Sequence, residues 1–384
     1  MPSSSTEPAT RAQGGPALST WGSPADSRQD EKLWKSTGLT QPSNISSAAK
    51  LHNDAIVVDC HNDIPMSLAL GGLIGDRATL KHRWIPELRA GGVDVQVMPI
   101  YAGDEPPETA LRASLFQLQR VRDEVADNQN DAAICIDGRD IDISIASGRI
   151  AVILALEGCH QFSTDPGLVR TFYQLGVRMI SFTHFGRTAL ADGSAEDGTG
   201  GKLTRVGVAV FKEMERLGIL MDLSHLGSSG IDHVLALATQ PVIASHSNAR
   251  AVFDIHRNLS DRHLRAIAET GGVVGVNLLP GIVDSANPTL DAVLHQVDHL
   301  VEIAGPDHVG IGTDFIVDYY RERYPDSARL LVEGIDARAE IPGLVRASDL
   351  PRFTDALVRH GYPDASIRKI LGENFLRVFR QVMK

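Results

Sequence analysis

Residues 150–157 read Ile-Ala-Val-Ile-Leu-Ala-Leu-Glu, an unbroken apolar run that ends in a carboxylate. A run this short, with no polar alternation, suits a strand covered on both faces, as in a parallel sheet. Its last residue is costly to bury unless a partner meets it. The pattern recurs along the chain. Ile56-Val57-Val58-Asp59 leads to His61 and Asp63, residues 177–182 to His184, and residues 219–223 to His225. Val242-Ile243-Ala244 leads to His246, and Val309-Gly310-Ile311-Gly312 to Asp314. Eight apolar runs lie near 55–60, 93–99, 150–156, 177–182, 218–224, 241–245, 272–278 and 308–313. Segments of helical periodicity separate them. This alternation predicts parallel βα units and an α/β fold, the (β/α)8 TIM barrel. Polar groups at the strand ends of such a barrel converge on the face where its chemistry sits.

The intervening segments carry helix signals. Leu203, Val206, Val210, Met214 and Leu217 form one apolar stripe, and Gly218 is placed to end it. Ser260 reads as an N-cap, with Leu264 and Ile267 facing inward and Gly271-Gly272 closing the helix. Ile367, Ile370, Leu371, Phe375, Val378 and Val382 predict a C-terminal helix packed on the outside of the barrel. Two long connections, residues 184–202 and 315–345, follow the fourth and eighth strands and should wall a pocket at the rim.

Composition sets the bounds. Of 384 residues, 1–45 are rich in Ser, Thr, Pro and Gly and short of residues to bury, which predicts a disordered tail. Residues 46–384 suffice for one barrel domain. A net charge of −11 argues against nucleic acid as the partner. The three cysteines, Cys60, Cys135 and Cys159, are too few for a disulfide framework and read as small buried residues. No stretch approaches the roughly 20 apolar residues of a membrane span, and no secretory signal opens the chain. The expectation is a soluble cytoplasmic protein with no membrane partner.

The strand-end residues carry the chemistry. His61 and Asp63 lie two apart, on the same side of an extended backbone, so both reach one cation. His225 and His246 each follow an apolar run and a serine, at successive strand ends. With Glu157 the set offers three imidazoles and two carboxylates, which suits zinc or another borderline divalent metal better than calcium or magnesium. It is large enough for two ions if one carboxylate bridges, and Glu157 is the candidate bridge. Two such ions activate a water and polarise a carbonyl, which is hydrolytic chemistry. Asp314 is placed to orient that water or move its proton, and His184 to donate to a developing oxyanion. The forked guanidinium of Arg257 suits a substrate carboxylate, or else a structural ion pair. The remaining histidines fall in helices, loops or strand starts and read as structural.

Together these residues resemble the membrane (renal) dipeptidase family, the M19 zinc metallopeptidases. The likeness rests on Val57-Val-Asp-Cys-His-Asn-Asp-Ile-Pro65, Ala155-Leu-Glu-Gly158, Leu217-Gly-Ile-Leu-Met-Asp-Leu-Ser-His225 and Pro241-Val-Ile-Ala-Ser-His-Ser-Asn-Ala-Arg250. It continues through Arg257-Asn258, Gly310-Ile-Gly-Thr-Asp-Phe315 and Gly372-Glu-Asn-Phe-Leu-Arg-Val-Phe379. The resemblance implies an amidohydrolase-like barrel holding two Zn2+ ions per chain. It implies that His61, Asp63 and Glu157 hold one ion and that Glu157, His225 and His246 hold the other. It assigns substrate binding to His184 and Arg257 and the strand-eight acid to Asp314. The implied reaction is attack of a metal-bridging hydroxide on a dipeptide, with a D-residue tolerated at the C-terminal position. Other substrates seen in the family are lactams and Cys-Gly conjugates, and the implied assembly is a homodimer. The chain departs at two rim positions. Phe-Gly-Arg-Thr-Ala-Leu-Ala-Asp-Gly193 after His184 is closer to microbial members, and Ile316-Val-Asp318 stands where many relatives have Asp-Gly.

Overall fold

The computed structural model describes residues 47–103, 105–327, 331–332, 335–336 and 338–384. The expected tail lies outside the described residues. Strands form where the apolar runs lie: β1 (Val57–Asp59), β2 (Val93–Tyr101), β4 (Ile150–Glu157), β5 (Val177–Ser181), β6 (Leu220–Asp222), β7 (Val274–Asn277) and β8 (Val309–Gly312). All pair in parallel, in the order β6-β5-β4-β2-β1-β8-β7. The run at 241–245 makes only single bridges, Ile243 to Asp222 and Ala244 to Val274. Its backbone still joins both neighbours: Leu223 N donates to Ile243 O at 2.7 Å and Gly275 N to Ala244 O at 2.8 Å. These bonds close the sheet into an eight-stranded barrel. Close approach explains two glycines here. A Cβ on Gly275 would lie 2.0 Å from Ser245 O, and one on Gly312 1.9 Å from it. One short strand, β3 (Ala132–Ile134), went unread in the sequence and pairs beside the start of β4.

The core has two layers because strand side chains alternate. Val152, Leu154 and Leu156 of β4 join the large cluster between strands and helices. Ala151, Ile153 and Ala155 join a second cluster with Val95, Val97 and Ile243 inside the barrel. Glu157 continues this inward series. Helix Arg205–Leu217 ends at Gly218 with φ +75°, and Ser260 caps helix Asp261–Glu269 through His263 N, as the sequence predicts.

The C-terminal helix, Asn374–Val382, is not an outer layer. Phe375, Leu376, Phe379 and Val382 belong to the inner cluster. Asn374 donates to Pro306 O and Val309 O, and Arg377 to Gly271 O, all at strand starts. The helix therefore plugs the N-terminal end of the barrel. The inner residues of the short strands leave that end unfilled, and two phenylalanines fill it. No helix among the described residues is long and apolar enough to cross a membrane.

Helix Ser47–Asp54 is tied to helix Leu350–His360 through His52, which is 2% exposed. Its Nε2 donates to Gly91 O at 3.0 Å, so Nδ1 accepts from Thr354 Oγ1 at 2.7 Å. Burial lowers the His52 pKa below its usual value, with the Gly91 carbonyl opposing. The unfolded chain then binds the proton more readily, so His52 withdraws stability as pH falls below about 6.5. The loss of denaturation midpoint between pH 7 and pH 5 is expected to be smaller in His52→Gln than in the parent. An equal or larger loss in the variant would contradict this role.

Candidate functional site

Each strand end delivers its side chain by a local device. Asp59, fully buried at the end of β1, accepts from Thr313 N at 2.9 Å, Thr313 Oγ1 at 2.8 Å and His61 N at 3.3 Å. Asp314 N in turn donates to His61 O at 2.9 Å, so the ends of β1 and β8 are locked together. His225 and Asp314 adopt left-handed backbone, φ +67° and +57°. Such a conformation costs a non-glycine residue about 1–3 kcal/mol and persists only where its surroundings impose it.

The side chains converge. Glu157 Oε1 lies 3.0 Å from His225 Nε2, 3.4 Å from His246 Nε2 and 3.5 Å from His61 Nε2. The last distance is that of an ion pair rather than a hydrogen bond. The His61 and His246 rings stack with centroids 3.5 Å apart. His61, Asp63 and Asp314 present ligand atoms within 4.8 Å of one another, as do Glu157, His184 and His225. Every residue of these groups except half-buried His184 and Asp314 is buried.

Supporting bonds decide which nitrogen faces inward. Ser245 Oγ donates to Asp222 Oδ2 at 2.5 Å, so it accepts from His246 Nδ1 at 2.7 Å. Asp222 Oδ1 also takes Ser224 N and Ser245 N. His246 therefore turns the lone pair of Nε2 toward Glu157 and toward His225 Nε2, 2.9 Å away. His246 Nε2 and Glu157 Oε1, 3.4 Å apart, are then two acceptors facing each other, an arrangement that a shared cation or proton relieves. His61 Nε2 and Asp63 Oδ1 are buried and have no hydrogen-bond partner among the described residues.

Protonation follows the same tension. Burial works against a charge on His61, but Glu157, Asp63 and Asp314 outweigh it and raise its pKa to about 10. Burial, then Glu157, pushes Asp63 well above the carboxylate range. Burial, then Arg257, drives His225 well below its usual value. Burial, then His61, does the same to His246. Nitrogen and oxygen donors, buried and partly unpaired, fit one or more divalent cations.

Beside the cluster opens a pocket with about 470 Å³ of empty volume. Asp63, Glu157, His184, His225 and Asp314 line it together with Phe185, Leu279, Ile282, Ile316, Tyr320 and Ile335. Tyr101 completes it, its hydroxyl 3.3 Å from His184 Nδ1. Arg257 is not among its lining residues. It is 2% exposed, donates to Ser247 Oγ and His246 O at 2.8 and 2.7 Å, and lines an adjacent cavity that shares Ile335. Its Nε has no partner among the described residues. Burial lowers its pKa to about 10.

Of the connection at 184–202, only His184 and Phe185 reach the pocket. The rest packs on the neighbouring loop: Ser194 N donates to His225 O, and Asp197 accepts from Ser228 N and Oγ. The connection at 315–345 supplies Ile316, Tyr320 and Ile335. Sequence reasoning gave no role to Asp59, Asp222, Ser245 or Asn277, whose Nδ2 donates to Asp314 Oδ2 at 2.9 Å. Two of these left a signal, since Asp59 and Asp222 also end apolar runs. The three cysteines are free and buried, as expected.

A closed parallel barrel with imidazoles and carboxylates gathered at its strand ends defines the class of metal-dependent barrel hydrolases. The sequence profile of "Membrane dipeptidase (Peptidase family M19)" matches residues 45–327 and 332–384, and the chain belongs to that family of metallo-dipeptidases. It is 31% identical over 358 residues to "Dipeptidase verJ" of Clonostachys rogersoniana, covering 88% of this chain and 87% of that one. It is similar to the crystal structure of dipeptidase AC, a metallopeptidase of family M19, with a TM-score of 0.76. That match has 26% identity and covers 86% of this chain and 99% of the other. A metallopeptidase from Rhodobacter sphaeroides, liganded with a phosphinate mimic of L-Ala-D-Ala, superposes with a TM-score of 0.74. Its identity is 26%, over 86% of this chain and all of that one.

Removing the Asp59 carboxylate leaves the N–H groups of Thr313 and His61 unpaired in a closed interior and the Thr313 hydroxyl with only its longer bond to His61 O. Asp59→Ala is expected to lose about 3 kcal/mol in urea denaturation. A loss below about 1 kcal/mol would show that other contacts hold β1 to β8.

Proposed function

We propose that the protein is a binuclear zinc dipeptidase. His61, Asp63 and Glu157 hold one ion, Glu157, His225 and His246 hold the other, and Glu157 bridges. The observation that carries this reading is the single carboxylate oxygen of Glu157 lying within 3.5 Å of three imidazole nitrogens. When bound, such a pair of ions lowers the pKa of a water and polarises the scissile carbonyl.

The chain's own residues do the rest. His184 donates to the carbonyl oxygen as it gains charge, and Tyr101 orients its ring. Asp314, held through one oxygen by Asn277, keeps the other for the proton that passes to the leaving amine. Arg257 binds the C-terminal carboxylate from the adjacent cavity, which limits the substrate to short peptides. The dipeptide names of the relatives support this substrate class. The L-Ala-D-Ala mimic bound by the Rhodobacter sphaeroides enzyme supports tolerance of a D-residue. In the same reading the enzyme is a cytoplasmic homodimer. Its catalytic domain begins near residue 46, and the family profile starting at residue 45 supports that boundary.

Metal analysis with turnover of L,L- and L,D-dipeptides and a β-lactam tests the proposal. Two zinc ions per chain and dipeptide hydrolysis are expected, with Glu157→Ala losing both. Full activity in Glu157→Ala would sink the bridge. Turnover of the lactam or a Cys-Gly conjugate alone would shift the function to another amide.

The bonded series His246–Ser245–Asp222 makes a second prediction. Partners that fix a ligating imidazole typically contribute 10–100-fold in metal affinity. Ser245→Ala is expected to weaken zinc by at least about 10-fold in competition with a chromophoric chelator. Unaltered affinity would show that the ring is held by packing alone.

A further inference from the structure

Apart from the ligand cluster and Tyr101, the pocket lining is largely apolar. Phe185, Leu279, Ile282, Ile316, Tyr320 and Ile335 come from the three connections after β5, β7 and β8. Leu279, Ile282 and Ile316 also form a small core of their own with Met66, apart from the two barrel clusters. Tyr101, Tyr319, Tyr320 and Ile335 pack on it. This wall is buried without being part of the barrel's own packing.

The wall is built to hold its place. Asn277 Oδ1 accepts from Leu279 N at 2.6 Å, and Asn258 Nδ2 donates to Ile282 O at 3.0 Å. Asn277 also donates to Asp314 through Nδ2. One amide thus anchors both Leu279 of the apolar lining and the Asp314 carboxylate. Ile316 lies two residues past Asp314.

We infer that the wall is a selectivity site for an apolar, uncharged side chain of the substrate. The inference rests on the dipeptidase reading and names its substrate class: dipeptides in which one residue is aliphatic or otherwise apolar. A lysine or aspartate side chain placed there loses water and meets no counter-charge on the wall. Each methylene seated on such a wall is worth several-fold in kcat/KM, so a leucine-sized group is worth about 10- to 100-fold.

The test uses the zinc-loaded full chain and two dipeptide series, Xaa-Gly and Gly-Xaa, with Xaa as Ala, Leu, Lys and Asp. Rates are read as kcat/KM. At one of the two positions Leu is expected to exceed both Lys and Asp by at least about 10-fold. Ile316→Asp is expected to raise the Lys-to-Leu ratio at that position by about 10-fold, because it places a carboxylate on the wall. Ile282→Ala is the milder variant and should erode the advantage of Leu over Ala without helping Lys. Lys or Asp substrates cleaved as fast as Leu at both positions would overturn the inference while leaving the dipeptidase reading intact. Failure to cleave any dipeptide would overturn the reading and the inference with it.

Discussion

A buried carboxylate with three imidazoles around one of its oxygens governs the mouth of this barrel. Glu157 is 6% exposed, and its partners His61, His225 and His246 are no more exposed than that. Such a group is tolerated only if its charge is met and its lone pairs are used. The surrounding structure answers that demand. β4 pairs with β2 over seven residues up to Tyr101 and Glu157, which fixes the height of the carboxylate. Asp59 locks β1 to β8, and Asp222 locks the end of β6 to the segment carrying His246. The left-handed turns at His225 and Asp314 are held by these ties. Two carboxylates that touch no ligand atom of the cluster thus do most of the positioning.

Much of this was legible in the sequence, for a physical reason. A strand in a parallel barrel must be apolar on both faces, so a polar residue at its end stands out. That contrast located the barrel and brought His61, Asp63, Glu157, His184, His225, His246 and Asp314 to one face. It failed where burial alone did not determine the outcome. β3 is only three residues and its apolar content resembles any turn. The run at 241–245 pairs through single bridges only, Ile243 to Asp222 and Ala244 to Val274. The C-terminal stripe marked a buried helix but not its partner, and a barrel end is as apolar as a barrel flank. Arg257 reads from sequence as a rim residue, yet it lies beneath the rim. Its guanidinium holds the backbone of His246, and its open face is toward a different cavity.

Asp59 and Asp222 show the limit most plainly. Each ends an apolar run in the same way as Glu157. Nothing in composition or spacing tells a carboxylate that accepts from backbone N–H groups from one that faces imidazoles. The difference is the direction in which the side chain leaves the strand, which the neighbouring strand's hydroxyls decide: Thr313 for Asp59 and Ser245 for Asp222.

The two sides of the pocket follow different rules. The ligand side is drawn from strand ends, where an atom moved by half an ångström would lose a bond to a fixed neighbour. The apolar side is drawn from the connections after β5, β7 and β8, the last of which includes the short hairpin carrying Ile335. Those connections meet each other mainly through dispersion, which tolerates exchange of one apolar shape for another. Substitution at Ile316 or Ile335 therefore changes what the pocket holds without changing the bonds that assemble the ligands. Asn277 is the exception, because its two amide atoms serve both sides. A change there alters the placement of Asp314 and of Leu279 together, so this one side chain couples the polar and the apolar lining of the pocket.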